Sequence, residues 1–176
     1  MAMNPDNLPC GPGIPLPKGP NDARYVENIM EHAFLSEVLQ HCWFIRHHPV
    51  EVIRPDVDAG GYDLVLEANR RVRHIQLKSR WRRATGRKDL KINPRLLVHP
   101  DPCVVWILWQ ADPATCRVTL QYKYSDPKVA KWVKPMPRAA TFELKWADFL
   151  PSFRDTPPFL DTPALVDQLF GPAASL

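Results

Sequence analysis

Long apolar runs are missing from this chain of 176 residues. The longest, Cys103 to Trp109, is seven residues, far too short to cross a bilayer as a helix. Met1 to Pro20 lacks a basic start followed by an apolar stretch, so no secretory leader is expected and a cytoplasmic location is. Cysteine is scarce: Cys10, Cys42, Cys103 and Cys116 form no CxxC pair, which argues against a zinc site or a disulfide framework. Strong net charge is lacking too, the formal balance being only +4. The length fits one ordinary domain with a core of its own, without staples.

Proline, in contrast, is plentiful, and its placement divides the chain. Residues 1–20 hold six prolines and three glycines and are expected to form an irregular arm. Residues 21–134 are expected to form the folded domain, and residues 135–176 a proline-rich extension with short helices, over 146–153 and 163–170, packed on the same domain. Val26 to Cys42 is free of Pro and Gly and rich in helix formers, with Asn21 or Asp22 as a cap, so it predicts the first helix. Pro49 to Pro55 reads as a strand. Residues 62–68 and 72–79 read as two strands of a hairpin around Asn69 to Arg71. Residues 93–99 read as a short helix or strand, Cys103 to Gln110 as a buried strand, and Arg117 to Tyr124 as an alternating one. The sum is a mixed α/β layer protein with the first helix on one face of its sheet.

The charge is unevenly spread. Between Arg70 and Lys91 stand ten basic residues against the single acid Asp89. Concentrated positive charge beside the aromatic Trp81 suits a polyanion, because each phosphate contact releases counterions. The candidate contacts are Arg80, Trp81, Arg82, Arg83, Arg87, Lys88 and Lys91. A solvated basic loop is the plainer alternative.

Two local patterns carry chemistry. At 100° per residue, Phe34, Leu35, Val38, Leu39 and Cys42 fall within about 80° of Glu31, so this carboxylate projects from an apolar helix face. It must there meet a metal, a cation or hydrogen bonds; an internal salt bridge would satisfy it equally well. In the hairpin, symmetry about Asn69 and Arg70 sets Asp63 opposite Gln76 and Val65 opposite His74, with Lys78 on the same face. A solvent-facing polar side of the hairpin would look the same. Asp58 and Glu67 are spare carboxylates, assigned to the turn and to the hairpin end. His41, His47 and His48 lack metal-ligand spacing, and His74 is expected to pack beside Val65. Trp106 and Trp109 are expected in the core.

Three oddities coincide: a carboxylate on an apolar helix face, an Asp/Gln/Lys cluster on a hairpin, and a basic loop directly after it. Phosphodiester hydrolysis unites them, since it needs a hard cation on oxygen ligands and positive charge where the phosphate gathers negative charge. Glu31 with Phe34, Val38, Cys42 and Trp43, then Pro55 to Val65, then Ile75, Gln76, Leu77, Lys78 and Ser79, resemble the motifs of the PD-(D/E)xK nuclease superfamily. The chain is more narrowly similar to the branch in which the last motif reads QxK, containing an intron-encoded homing endonuclease and related bacterial proteins. The resemblance covers roughly Ala23 to Gln110. It implies a restriction-endonuclease-like αβββα core, Mg²⁺ dependence with Mn²⁺ as a substitute, and catalytic positions Glu31, Asp63, Gln76 and Lys78, the first three as metal ligands. Gln76 stands where an acid is usual, and Met30 where glycine often precedes the glutamate. The expectation is a DNA endonuclease of restriction or defence type, acting as a homodimer or higher homo-oligomer. The competing expectations are a binding module of this fold without catalysis, and an interaction protein whose basic loop docks on an acidic partner.

Overall fold

The first helix is longer than its apolar core requires. α1 spans Pro20–Phe44, with extended Gly19 as its N-cap and Pro20 in the first turn. Proline costs nothing there because the first N–H groups of a helix have no internal partner anyway. The expected start at Val26 was therefore six residues late, and Asn21 and Asp22 lie inside the first turn instead of capping it. A computed structural model describes residues 19–56, 60–82, 89–112, 115, 117–130, 132, 141–150 and 159–173. The expectations for Asp58, Arg83, Arg87, Lys88, Cys10, Cys116 and residues 151–153 lie outside these.

After α1 come β1 (Glu51–Ile53), β2 (Leu64–Ala68) and β3 (Arg71–Trp81). β1 is held to three residues between Pro49 and Pro55, neither of which can donate to a ladder. The β2–β3 hairpin pairs Leu64 with Ile75 and Val65 with His74, the register that the spacing predicts. Asn69 and Arg70 at its tip both have left-handed φ, +50° and +60°, as a two-residue hairpin loop demands. β4 (Leu90–Ile92) and a 3-10 helix (Pro94–Val98) follow, the latter capped by the Asn93 side chain, which accepts from the Arg95 N–H at 3.0 Å. β5 (Pro102–Asp112), β6 (Arg117–Ser125), β7 (Phe142–Leu144), a second 3-10 helix (Trp146–Asp148) and α2 (Thr162–Phe170) complete the described order.

Five strands form one mixed sheet in the order β1-β2-β3-β5-β6, antiparallel except where β3 runs parallel to β5. The α, β, β, β beginning of the expected core is in place. In the described part of the crossover from β3 to β5, β4 and the 3-10 helix occupy the position where a second α-helix was implied. One face of the sheet packs Ile75, Cys103, Val105 and Tyr122 against Phe34 and Val38 of α1 and Leu165 and Leu169 of α2. The other face is also covered. There Val104, Trp106 and Leu108 meet Ile92, Leu96, Phe142, Leu144 and Phe149, from the two-stranded β4–β7 ribbon and the 3-10 helices. Burial on both faces explains why β5 reads as an unbroken apolar run. It also makes the thiols structural: burial pushes Cys103 up to about 12 and raises Cys42 as well.

Among the described residues Arg73 is buried, as are the charged Lys123 and Asp126. It is 5 % exposed, donates to the Leu169 and Gln168 carbonyls at 2.8 and 3.0 Å, and sits 3.6 Å from Asp126. Those carbonyls belong to the last turn of α2, which has no internal donors for them. Replacing Arg73 by Met is expected to cost about 3–5 kcal/mol, the usual loss when one partner of a buried charged pair is removed. Urea denaturation should show this as a lowered midpoint at unchanged slope.

Candidate active site

The hairpin stops being a regular ladder at the residue where the sequence places its aspartate. Asp63 lies one position before β2; its N–H donates to the Ile75 carbonyl at 2.8 Å. Its carboxylate Oδ2 accepts the Leu77 N–H at 2.6 Å, taking the place of a strand carbonyl. Beyond this point β2 has left β3, and residues 77–79 of β3 line a cavity where a neighbouring strand would otherwise run. Gly61 just before it has φ +73°, and a Cβ there would lie 2.8 Å from Cγ of Asn93, so only glycine lets the turn approach so closely.

The cavity measures about 770 Å³ and lies between the N-terminal half of α1 and the exposed stretch of β3. Glu31, Asp63 and Lys78 all line it, together with Arg24, Glu27 and Asn28 of α1. Three of the four residues singled out from the sequence thus converge. Gln76 is not among the lining residues. It is buried, and its amide oxygen accepts the Asn93 N–H at 3.2 Å, tying β3 to the start of the first 3-10 helix. The observed register carries the expected opposition as far as Leu64 and Ile75, one step short of Asp63 and Gln76. Asp63 turns to the Leu77 amide because β2 frays there, whereas Gln76 is still inside the sheet.

Glu31 is satisfied by a cation. Its Oε1 accepts from Nε of Arg54 at 2.9 Å, and the Glu31 side chain is 23 % exposed. This is the salt bridge that the helix wheel left open as an alternative to a metal. Arg54 escaped the sequence reading because it lies between β1 and a turn, where no periodicity marks it. Arg24 and Glu27 carried a usable signal: on the wheel they fall within about 40° of Glu31.

The basic segment divides into parts with different surroundings. Arg82 is exposed; its N–H donates to the Trp109 carbonyl at 2.9 Å and its guanidinium stands 5.4 Å from the Phe159 ring centre. Lys91 is exposed on β4, and Arg80 is half-buried in β3. Trp81, expected to reach a base, stacks on Trp109 with ring centres 6.3 Å apart and packs against the α1-side core. Strand alternation places it there, since it lies on the same face as Ile75 and Leu77.

Next to the aspartate turn stands a ring cluster that the sequence did not announce. His74 stacks on His99 with centres 4.7 Å apart, and Tyr62 meets both rings edge-on at 5.1 and 4.8 Å. His74 Nδ1 lies 2.9 Å from the Pro100 carbonyl and His99 Nε2 3.1 Å from that of Gly60, so each ring nitrogen donates to a backbone oxygen. The pair pins the turn that carries Asp63. Among the described residues no group of three or more His, Cys, Asp or Glu is placed to hold a metal ion. Glu31 and Asp63 are nevertheless two hard oxygen donors on one cavity, and Mg²⁺ is commonly held by one or two carboxylates plus substrate phosphate.

No sequence family and no curated protein matches the chain. Among solved structures, it is similar to Hjc, a Holliday junction resolvase from Archaeoglobus fulgidus, an archaeal hyperthermophile. The TM-score is 0.45 and the identity 11 %, over 79 % of this chain and 98 % of that one. At that distance the likeness says nothing of this chain's chemistry. No helix of the described residues is long and apolar enough to cross a membrane.

Burial lowers the His74 pKa below its ordinary value, with His99 acting in the same direction, and the hydrogen bond to Pro100 and the charge of Asp101 opposing. The folded state therefore prefers neutral His74. Its contribution to stability is complete above the ordinary value of about 6.5 and is lost as the pH falls below it through the folded-state value. Urea midpoints measured between about pH 5 and pH 7 should fall toward acid in the parent protein, and less steeply in His74→Phe. Equal slopes in the two proteins would exclude this role.

Proposed function

We propose that the chain is a divalent-cation-dependent nuclease acting on DNA, with Glu31, Asp63 and Lys78 as its catalytic residues. The observation that carries the reading is their convergence on one cavity from a helix, a turn and a strand far apart in the sequence. Glu31 and Asp63 offer the oxygen donors that suit Mg²⁺ or Mn²⁺, and such a cation, when bound, supplies Lewis-acid charge at a phosphoryl oxygen. Lys78 places an ammonium where the phosphate accumulates negative charge in the transition state. Asp63 stays oriented because the Leu77 amide fixes its Oδ2, so its geometry costs little reorganisation. Gln76 takes a supporting part, holding Asn93 and the turn of Gly61 that Asn93 touches. Arg80, Arg82 and Lys91 extend positive charge away from the cavity toward a DNA backbone, which the basic run as a whole supports.

A second reading, DNA binding without cleavage, draws on the Arg54 ion pair, which already neutralises Glu31. The two separate in one assay series on supercoiled plasmid with Mg²⁺ or Mn²⁺. Glu31→Gln, Asp63→Asn and Lys78→Ala are each expected to lower nicking by roughly a hundredfold or more, the usual loss for an electrostatic group acting in the transition state. DNA affinity should remain. A parent protein that binds DNA with steep salt dependence yet never nicks it would establish the second reading instead.

A further inference from the structure

Arg54 stands outside the set of residues that line the cavity, yet it holds one of the cavity's carboxylates. Its Nε donates to Glu31 Oε1 at 2.9 Å, and the arginine side chain is 49 % exposed. The lining itself carries three acids, Glu27, Glu31 and Asp63, against Arg24 and Lys78. Arg54 is the third cation, and with it the formal charge of the site is balanced. A dication that takes Glu31 Oε1 as a ligand displaces the guanidinium that now holds it, and a guanidinium without its carboxylate can pair with another oxyanion. The two non-bridging oxygens of a phosphodiester offer a guanidinium the same bidentate pairing that a carboxylate does.

We propose that Arg54 is a positioning residue that couples cation binding to the arrival of a phosphodiester. In the free protein it occupies Glu31. When a DNA phosphate enters, Arg54 exchanges the carboxylate for the phosphate, and Glu31 is released to the cation. Both newcomers then arrive neutralised: the cation by Glu31 and Asp63, the phosphate by Arg54 and Lys78. The inference rests on the cation site proposed above and adds to it a specific order of partners. By linkage the coupling is reciprocal, so the cation strengthens DNA binding by the factor by which DNA strengthens cation binding.

The test uses Ca²⁺ on the full chain, by calorimetric titration without DNA and by fluorescence anisotropy of a short labelled duplex with and without the ion. Arg54→Ala should bind Ca²⁺ roughly two- to fivefold more tightly than the parent protein in the absence of DNA, the scale of a partly exposed ion pair. Its Ca²⁺-dependent gain in duplex affinity should shrink by a similar factor. Arg54→Lys, which keeps the charge but loses the planar fork, should fall between the two. If Arg54→Ala binds Ca²⁺ no more tightly while Glu31→Gln weakens it, the coupling is overturned and the cation site stands. If the parent protein binds no Ca²⁺, or Glu31→Gln leaves the affinity unchanged, the cation site itself fails, and Arg54 is merely a structural partner of Glu31.

Discussion

The hydrogen bond from the Leu77 amide to the Asp63 carboxylate determines where this molecule can have a site at all. A strand edge has donors that must be satisfied, and here one of them is met by a side chain instead of a neighbouring backbone. That substitution lets β2 depart from β3 without leaving a buried orphan. The gap is then roofed by α1, and groups on the helix, the turn and the uncovered strand line it, with Leu90 of β4 and Ile107 of β5 beside them. The same bond that ends the ladder also orients the aspartate. The Tyr62, His74 and His99 rings and the Asn93 contact with Gly61 hold the turn from the other side, so the carboxylate is positioned by packing as well as by a hydrogen bond.

Much of this was legible in the sequence wherever periodicity carried the information. The hairpin register followed from the symmetry of two β-type runs about Asn69 and Arg70. The burial of β5 followed from its apolar run, and the inward placing of Glu31 from the helix wheel. What was not legible depended on where strands separate. Alternation sets Asp63 opposite Gln76, but regular pairing ends at Leu64 and Ile75, so it could not say which backbone groups each side chain would meet. Arg54, His99 and Asn93 lie in turns, and their roles come from contacts with residues distant in the chain. Among the described residues Pro20 misled: it reads as a breaker but serves as a first-turn residue.

The basic run illustrates why charge counted along a sequence overstates charge available at a surface. Of the residues between Arg70 and Lys91, Arg73 is a core residue whose guanidinium serves α2 and Asp126. Lys78 belongs to the cavity. Arg71 lies against Gly171, where an added Cβ would come within 3.2 Å of its guanidinium. Of the other described members, Arg70, Arg82 and Lys91 are exposed and Arg80 is half-buried. A run of like charge on a long β-strand alternates between faces, and the sheet assigns neighbouring cations to unrelated tasks.

Arg73 and Arg46 both close onto the end of α2, the latter donating to the Gly171 carbonyl at 2.6 Å across 125 residues of sequence. These are among the most distant contacts that a chain of this length can make, and they satisfy charges that lie in its first half. During synthesis the sheet can pair from β1 to β6 as it emerges, while the guanidinium of Arg73 still lacks its α2 acceptors. The final helix is thus the keystone of the order of assembly. Until it docks, the Arg73 guanidinium has Asp126 but not its two carbonyl acceptors, so the part of the core that α2 covers can close only when that helix arrives.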